Sequence, residues 1–111
     1  MHSLTKGDIV VAYFPQEDQD TFDLRPCLVL SAREDGFLAA KITTTELRYS
    51  WAFKLARGDS ATIRGEIQKD SWVNLRRCEN IPMTDAKQVV CTLKPEVLAA
   101  IRLKLARFVD I

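Results

Sequence analysis

Gly7-Asp-Ile-Val-Val-Ala-Tyr-Phe14, closed by Pro15, and Arg25-Pro-Cys-Leu-Val-Leu30, set apart from it by an acidic stretch, decide how this chain is read. The first run is β-branched and aromatic and has ordinary strand length, so it reads as a buried strand. The second reads as its partner. Pro26 suits the first residue of a strand and keeps Arg25 out of the α region. Between them, Gln16 to Leu24 holds four acids in nine residues, Glu17, Asp18, Asp20 and Asp23. That is a polar loop of the kind that carries function. Outward from this pair, Glu34-Asp35-Gly36 is a hairpin signal and Phe37 to Thr44 a third strand. Ser50 to Leu55 alternates, with Trp51, Phe53 and Leu55 on one face and Ala52 and Lys54 on the other. Gly58-Asp59-Ser60 is a turn, Ala61 to Ile67 a weak strand and Ser71 to Leu75 a better one. Thr84 to Val90 has a weak helical pattern. From Pro95 the period changes to that of an amphipathic helix: Val97, Ile101, Leu105 and Phe108 form a stripe, flanked by Leu98 and Val109. Pro95 suits the first helical position, Glu96 the positive end of the dipole, and Arg102, Lys104 and Arg107 the negative end. The expected fold is mainly β. Short antiparallel strands form a strongly bent sheet or partly open barrel, closed by a C-terminal helix.

Composition narrows the function classes. The chain has 111 residues, 47% apolar and 28% charged, which fits one domain spanning 1–111 and argues against disorder. No apolar run approaches the roughly 20 residues of a membrane-spanning helix. Met1 to Lys6 has no apolar segment of the signal-peptide type. Three cysteines, Cys27, Cys78 and Cys91, form no C-x-x-C pair, which speaks against a disulfide framework and a zinc site. A reduced, cytoplasmic protein is the expectation. The net charge of +1 divides unevenly, −4 over residues 1–46 and +5 over 47–111. The second half therefore has the charge for a basic face.

His2 is the only histidine and sits at the terminus. A two-histidine ribonuclease, a Ser-His-Asp triad and a Cys-His pair are all unsupported. The acids at 17, 18, 20 and 23 do not match an EF-hand, and there is no glycine-rich phosphate loop. Chemistry is left to Arg, Lys, Thr, Ser and carboxylates. Arg25, fixed between the acidic loop and a buried strand, suits a two-pronged grip on phosphate. The alternative is a structural salt bridge to Asp23. Thr43-Thr44-Thr45 ends a strand. Alternation sends Thr43 and Thr45 to one face and Thr44 to the other, where hydroxyls bind phosphate or ribose, or simply cap the turn. Among the aromatics, Tyr49, beside Arg48 and Ser50, is the best placed for exposure and base stacking. Cys27 reads as a buried, inert thiol.

Taken in order, these segments resemble the PemK/MazF toxin family. Lys6-Gly-Asp-Ile-Val-Val-Ala-Tyr-Phe-Pro15, nine residues, then Arg25-Pro-Cys-Leu-Val-Leu-Ser31 is similar to the family opening: G-D-I-V, an aromatic and Pro, a loop, then R-P-x-x-V-L-S. Lys41-Ile-Thr-Thr44 is similar to its P-x-T-S/T strand end, and Leu93-Lys-Pro-Glu-Val-Leu-Ala-Ala-Ile101 to its L-S-x-E-x-L helix start. The resemblance implies an SH3-like antiparallel barrel of the PemK/MazF/CcdB type with a C-terminal helix, acting as a cytoplasmic homodimer. It implies a metal-independent endoribonuclease without cofactor that cuts single-stranded RNA, often mRNA, at short sequences. It also implies a cognate antitoxin whose acidic tail fills the RNA groove. By position, Arg25 matches the catalytic arginine and Thr43 the catalytic threonine, with Thr44 the adjacent alternative. Asp20 falls where many members carry a loop Glu. Attack of the ribose 2′-OH would leave a 2′,3′-cyclic phosphate and a 5′-OH. Arg25 would stabilise charge, Thr43 would bind a nonbridging oxygen, and Asp20 or Glu17 would assist proton transfer. Thr44, Glu17, Tyr49 and Arg48 are the expected substrate-binding residues.

Four positions depart from the pattern. Asp18 replaces a loop Gly, Lys41 a Pro, and Thr92 a Gly before the helix, and Asn74 to Asn80 lacks the common D-Q-I-R-T. Two other readings belong to the same fold. One is a CcdB-like toxin that binds gyrase, although Arg107-Phe-Val-Asp-Ile111 does not resemble a gyrase-binding end. The other is an RNA-binding relative without catalysis.

Overall fold

Strand pairing begins at the two segments that opened the reading. In the computed structural model, which describes residues 3–18 and 20–108, β1 (Asp8–Pro15) pairs antiparallel with β2 (Phe22–Ala32) from Ile9↔Leu28 to Pro15↔Phe22. The expected loop is therefore shorter, because β2 starts at Phe22 rather than near Arg25. A 2.8 Å hydrogen bond from the Gln16 amide to the Thr21 carbonyl closes it. The Asp18 carboxylate accepts from the backbone N–H groups of Asp20 and Thr21 and from the Thr21 hydroxyl. Those bonds hold its pKa below the ordinary aspartate value.

The other strands are β3 (Gly36–Thr43), β4 (Ala52–Leu55), β5 (Thr62–Arg64), β6 (Ser71–Pro82) and β7 (Ala86–Leu93). Among the described residues the seven strands form one antiparallel sheet in the order β4-β6-β3-β2-β1-β7-β5, followed by α1 (Pro95–Ala106). The mainly β fold with a terminal helix is as expected, and the sheet is open rather than a closed barrel. None of its helices is long and apolar enough to cross a membrane.

Three local expectations need correction. Thr84 to Val90 is not an α-helix: a 3-10 turn at Met83–Asp85 leads into β7, which pairs with β1 between Ala86 and Thr92 and with β5 at Thr92 and Leu93. Tertiary pairing overrides the weak helical pattern here. β4 does not alternate cleanly. Ala52 is buried and Phe53 only half-buried, and the Ala52 carbonyl accepts a 2.7 Å hydrogen bond from Lys104 of α1. In α1 the buried residues are Leu98 and Ile101, with Val97 and Leu105 half-buried. Phe108 lies beyond the helix end and is exposed, and Val109, like His2, lies outside the described residues. Arg102 does more than complement the dipole, because its Nη1 donates to the Leu30 carbonyl at 2.7 Å.

The core occupies both faces of the central strands. Ile9, Leu28, Ala40, Ile42 and Val73 pack with Leu98 and Ile101 of the helix. On the opposite face Val10, Ala12, Phe14, Cys27, Val29, Phe37, Ala39 and Ile81 form a second cluster. Burial on both faces explains why β1 and β2 read as continuous apolar runs. Gly65, with φ +69°, ends β5 where an added Cβ would stand 2.7 Å from the Val90 carbonyl oxygen.

β6 extends well past the expected Leu75. Lys41 pairs with Asn74 while the preceding Ala40 pairs with Cys78, so Leu75, Arg76 and Arg77 form a bulge. A bulge bends the strand and re-aims its side chains. Arg77 consequently reaches across the sheet, and its Nη2 donates to the Pro15 carbonyl of β1 at 2.7 Å.

Candidate active site

Arg25 faces the same side of the sheet as Ala12, its partner on β1. Carrying the Cys27↔Lys41 register on by two residues sets Thr43 level with Arg25. Thr43 in turn pairs with Trp72 of β6, and Trp72 with Lys54 of β4. One row across the sheet thus carries a guanidinium, a hydroxyl, an indole and an ammonium. The Lys54 ammonium lies 5.7 Å from the Trp72 ring centroid.

A cleft of about 400 Å³ opens beside this row, where the second core cluster runs out. Phe14, Pro15, Gln16, Glu17 and Asp18 wall one side, and Asp23, Arg25 and Lys41 the other. The Arg25 guanidinium stands 3.7 Å from the Asp23 carboxylate, with 30% of its side chain exposed. The structural ion pair considered from sequence is therefore present, but it is loose and leaves donors facing the cleft. The Thr43 hydroxyl oxygen accepts a 3.1 Å hydrogen bond from the Thr45 amide. That occupies a lone pair and leaves the O–H free to donate.

The remaining sequence candidates are dispersed. Glu17 lines the cleft and is well exposed, its Oε1 3.6 Å from Arg77 Nη1. Asp20 is exposed in the loop, outside the cleft lining, with its amide donated to Asp18. Thr44 is on the opposite face, where it borders an apolar hollow lined by Ile9, Val11, Pro26 and Ile42. Arg48 is exposed and paired with Glu46, which raises its pKa. Tyr49 is 61% exposed, as expected, and stacks on Trp51 at 4.6 Å between centroids and 8° between planes. Arg76 lies over the Trp51 ring at 5.8 Å.

Sequence reasoning gave no site role to three residues here, Lys41, Lys54 and Arg77, and among the aromatics able to stack bases it preferred Tyr49 to Trp72. Lys41 had a local signal, since a strand residue two before Thr43 shares its face. Arg77 had none, because its position depends on the bulge. Lys41 is held below the usual lysine pKa by partial burial, then by the nearby charges of Arg25 and Arg77, with Glu17 and Asp23 opposing. The thiols are poor nucleophiles: burial pushes Cys27 up to about 12 and Cys91 up to about 11. Among the described residues no cluster of three His, Cys, Asp or Glu side chains is arranged to hold a metal ion.

Comparison with known proteins gives one consistent answer. The MazF toxin of Deinococcus radiodurans has a TM-score of 0.75 to this chain at 22% identity, with 97% of each chain covered. An endoribonuclease from a mycobacterial species, solved in complex with its cognate antitoxin, has a TM-score of 0.70 at 16% identity over 95% of this chain and 93% of that one. The Mycobacterium tuberculosis toxin MazF-mt6 has a TM-score of 0.66 at 22% identity over 94% of this chain and 99% of that one. No curated protein matches the sequence. At these identities the structures establish a shared fold. A family model, described as the PemK-like, MazF-like toxin of type II toxin–antitoxin systems, matches residues 5–109. The chain belongs to that family.

Proposed function

We propose that this chain is an endoribonuclease toxin that cuts single-stranded RNA without a metal ion, at short preferred sequences. The observation that carries the reading is Arg25 lining an open cleft, with Thr43 set on the same face and level with it when the Cys27↔Lys41 register is carried on by two residues. The ribose 2′-OH attacks the adjacent phosphorus, the P–O5′ bond breaks, and the departing 5′-oxygen takes a proton from solvent water. The products are a 2′,3′-cyclic phosphate and a 5′-OH end. Negative charge grows on the nonbridging oxygens, where the Arg25 guanidinium donates two parallel hydrogen bonds and Thr43 one. Arg25 keeps its proton throughout, its pKa being above about 12. Glu17, the exposed carboxylate of the cleft, takes the 2′-OH proton in preference to Asp20, which lies outside the lining. The Arg25–Thr43–Trp72–Lys54 row extends the surface with a stacking ring and a further cation, a combination suited to single strands.

The partners follow from the same reading. The protein acts as a cytoplasmic homodimer, and an acidic segment of a cognate antitoxin covers the basic surface. Antitoxin complexes among its structural relatives support that partner. The test is a matched pair of RNAs, one with a single 2′-deoxy substitution at a mapped cleavage site. Cleavage lost at that site alone supports 2′-OH attack, and cleavage retained there refutes it.

A further inference from the structure

We propose that Lys41 is a phosphate-binding residue of this cleft, joining Arg25 from β2 in a two-cation grip on one phosphodiester of the RNA, with Arg77 of β6 half-buried behind them. This rests on the RNA-binding reading above and adds a residue to it. Three observations carry it. Lys41 lines the cleft with Arg25, pairs with Cys27 two residues along β2 from it, and is on the same face as Thr43. Its side chain is half-buried, and among the described residues it has no hydrogen bond or ion pair of its own. Arg77 is fixed behind it by the Pro15 carbonyl and the Phe14 ring, and its Nη1 is the one buried side-chain polar atom, among the described residues, without a hydrogen-bond partner.

Lys41 and Arg25 line the cleft and Arg77 lies half-buried beside it, so their charges repel one another. None of the three lining acids pairs tightly with them: Glu17 stands 3.6 Å from Arg77, Asp23 3.7 Å from Arg25, and Asp18 is bonded to Asp20 and Thr21. A phosphodiester entering the cleft offers oxygens to Lys41 and Arg25, so Asp23 serves as a loose internal counter-ion of Arg25 that the substrate displaces. The depressed proton affinity of Lys41 agrees with this crowding and is relieved when an anion binds.

The test measures binding of a 2′-O-methylated single-stranded RNA pool, which the enzyme cannot cut, as a function of salt. Each phosphate neutralised on a single strand contributes about 0.7 to the slope of log K against log salt. Lys41→Gln is expected to weaken binding about fivefold and to flatten the slope by about 0.7, while Lys41→Arg keeps the slope. Lys41→Met, of similar length, repeats the test should the glutamine variant fold poorly. A slope unchanged in a folded Lys41→Gln or Lys41→Met protein overturns the proposal, because a purely structural lysine would leave it unmoved. Cleavage of unmodified RNA by wild type is measured alongside. Wild type that binds but does not cut refutes the nuclease reading alone, and wild type that does not bind RNA refutes both.

Discussion

Arg25→Ala removes a guanidinium that is 30% exposed and 3.7 Å from an Asp23 carboxylate that is itself 47% exposed. Two roles for this arginine give different magnitudes. As one half of a solvent-screened ion pair it contributes at most about 1 kcal/mol to stability. As a donor to the transition state its loss costs about 10²–10³ in rate, roughly 2.7–4 kcal/mol of activation free energy. The two are separable in one experiment. Single-turnover cleavage of a single-stranded RNA gives the rate, and urea unfolding of the same samples gives the stability. The expected result is a loss of at least about a hundredfold in rate with an unfolding free energy within about 1 kcal/mol of wild type. Arg25→Lys sharpens the assignment. It keeps the charge but loses the planar two-pronged donor, so most of the deficit should remain. A rate for Arg25→Ala equal to wild type would refute the assignment. So would a deficit that tracks loss of the fold.

Other outcomes follow from neighbouring features. Thr43→Val keeps the β-branched shape but removes the hydroxyl that faces the site, and cleavage kinetics should show a loss of about 10² in kcat with little change in KM. Ile101→Ala empties a fully buried position where α1 meets the sheet, so chemical denaturation should show a loss of about 2–5 kcal/mol with the unfolding slope retained. The Asp18 carboxyl is held below the ordinary aspartate pKa by hydrogen bonds from Thr21 and Asp20. Because the folded pKa is the lower one, its stabilisation is present above about pH 4 and is lost as the pH falls through the folded value. Denaturation midpoints measured from pH 6 down to pH 3 should therefore fall less steeply in Asp18→Asn than in wild type.

Much of the architecture is legible in local pattern. The β1–β2 pair announces itself because both faces of those strands are buried, leaving unbroken runs at Ile9–Ala12 and Cys27–Leu30. The terminal helix starts at Pro95 as its sequence signals, but its seat on Leu98 and Ile101 depends on how it meets the sheet. β7 is missed because its outer half, Ala86 to Val90, is only half-buried or exposed and gains its strand form from pairing with β1. The site divides in the same way. Thr43 is readable as a strand end and Arg25 as a residue held against a buried strand, although β2 runs on to Phe22, and the Cys27↔Lys41 register carried on by two residues sets them level. Thr44 separates from them by simple alternation, onto the face with the apolar hollow. Arg77 enters only because a bulge of Leu75 to Arg77 turns it across the sheet, a non-local event without a sequence signature.

Metal-free RNA cleavage by 2′-OH attack leaves a chemical signature on the RNA ends. Its most direct test is incubation of the purified wild-type protein with a long single-stranded RNA in excess EDTA, followed by analysis of the new ends. The predicted result is discrete fragments whose 3′ ends carry a 2′,3′-cyclic phosphate and whose 5′ ends are hydroxyls, ready for labelling by polynucleotide kinase without prior phosphatase. Cleavage that requires an added divalent ion, or fragments with 5′-phosphate and 3′-hydroxyl ends, would contradict it.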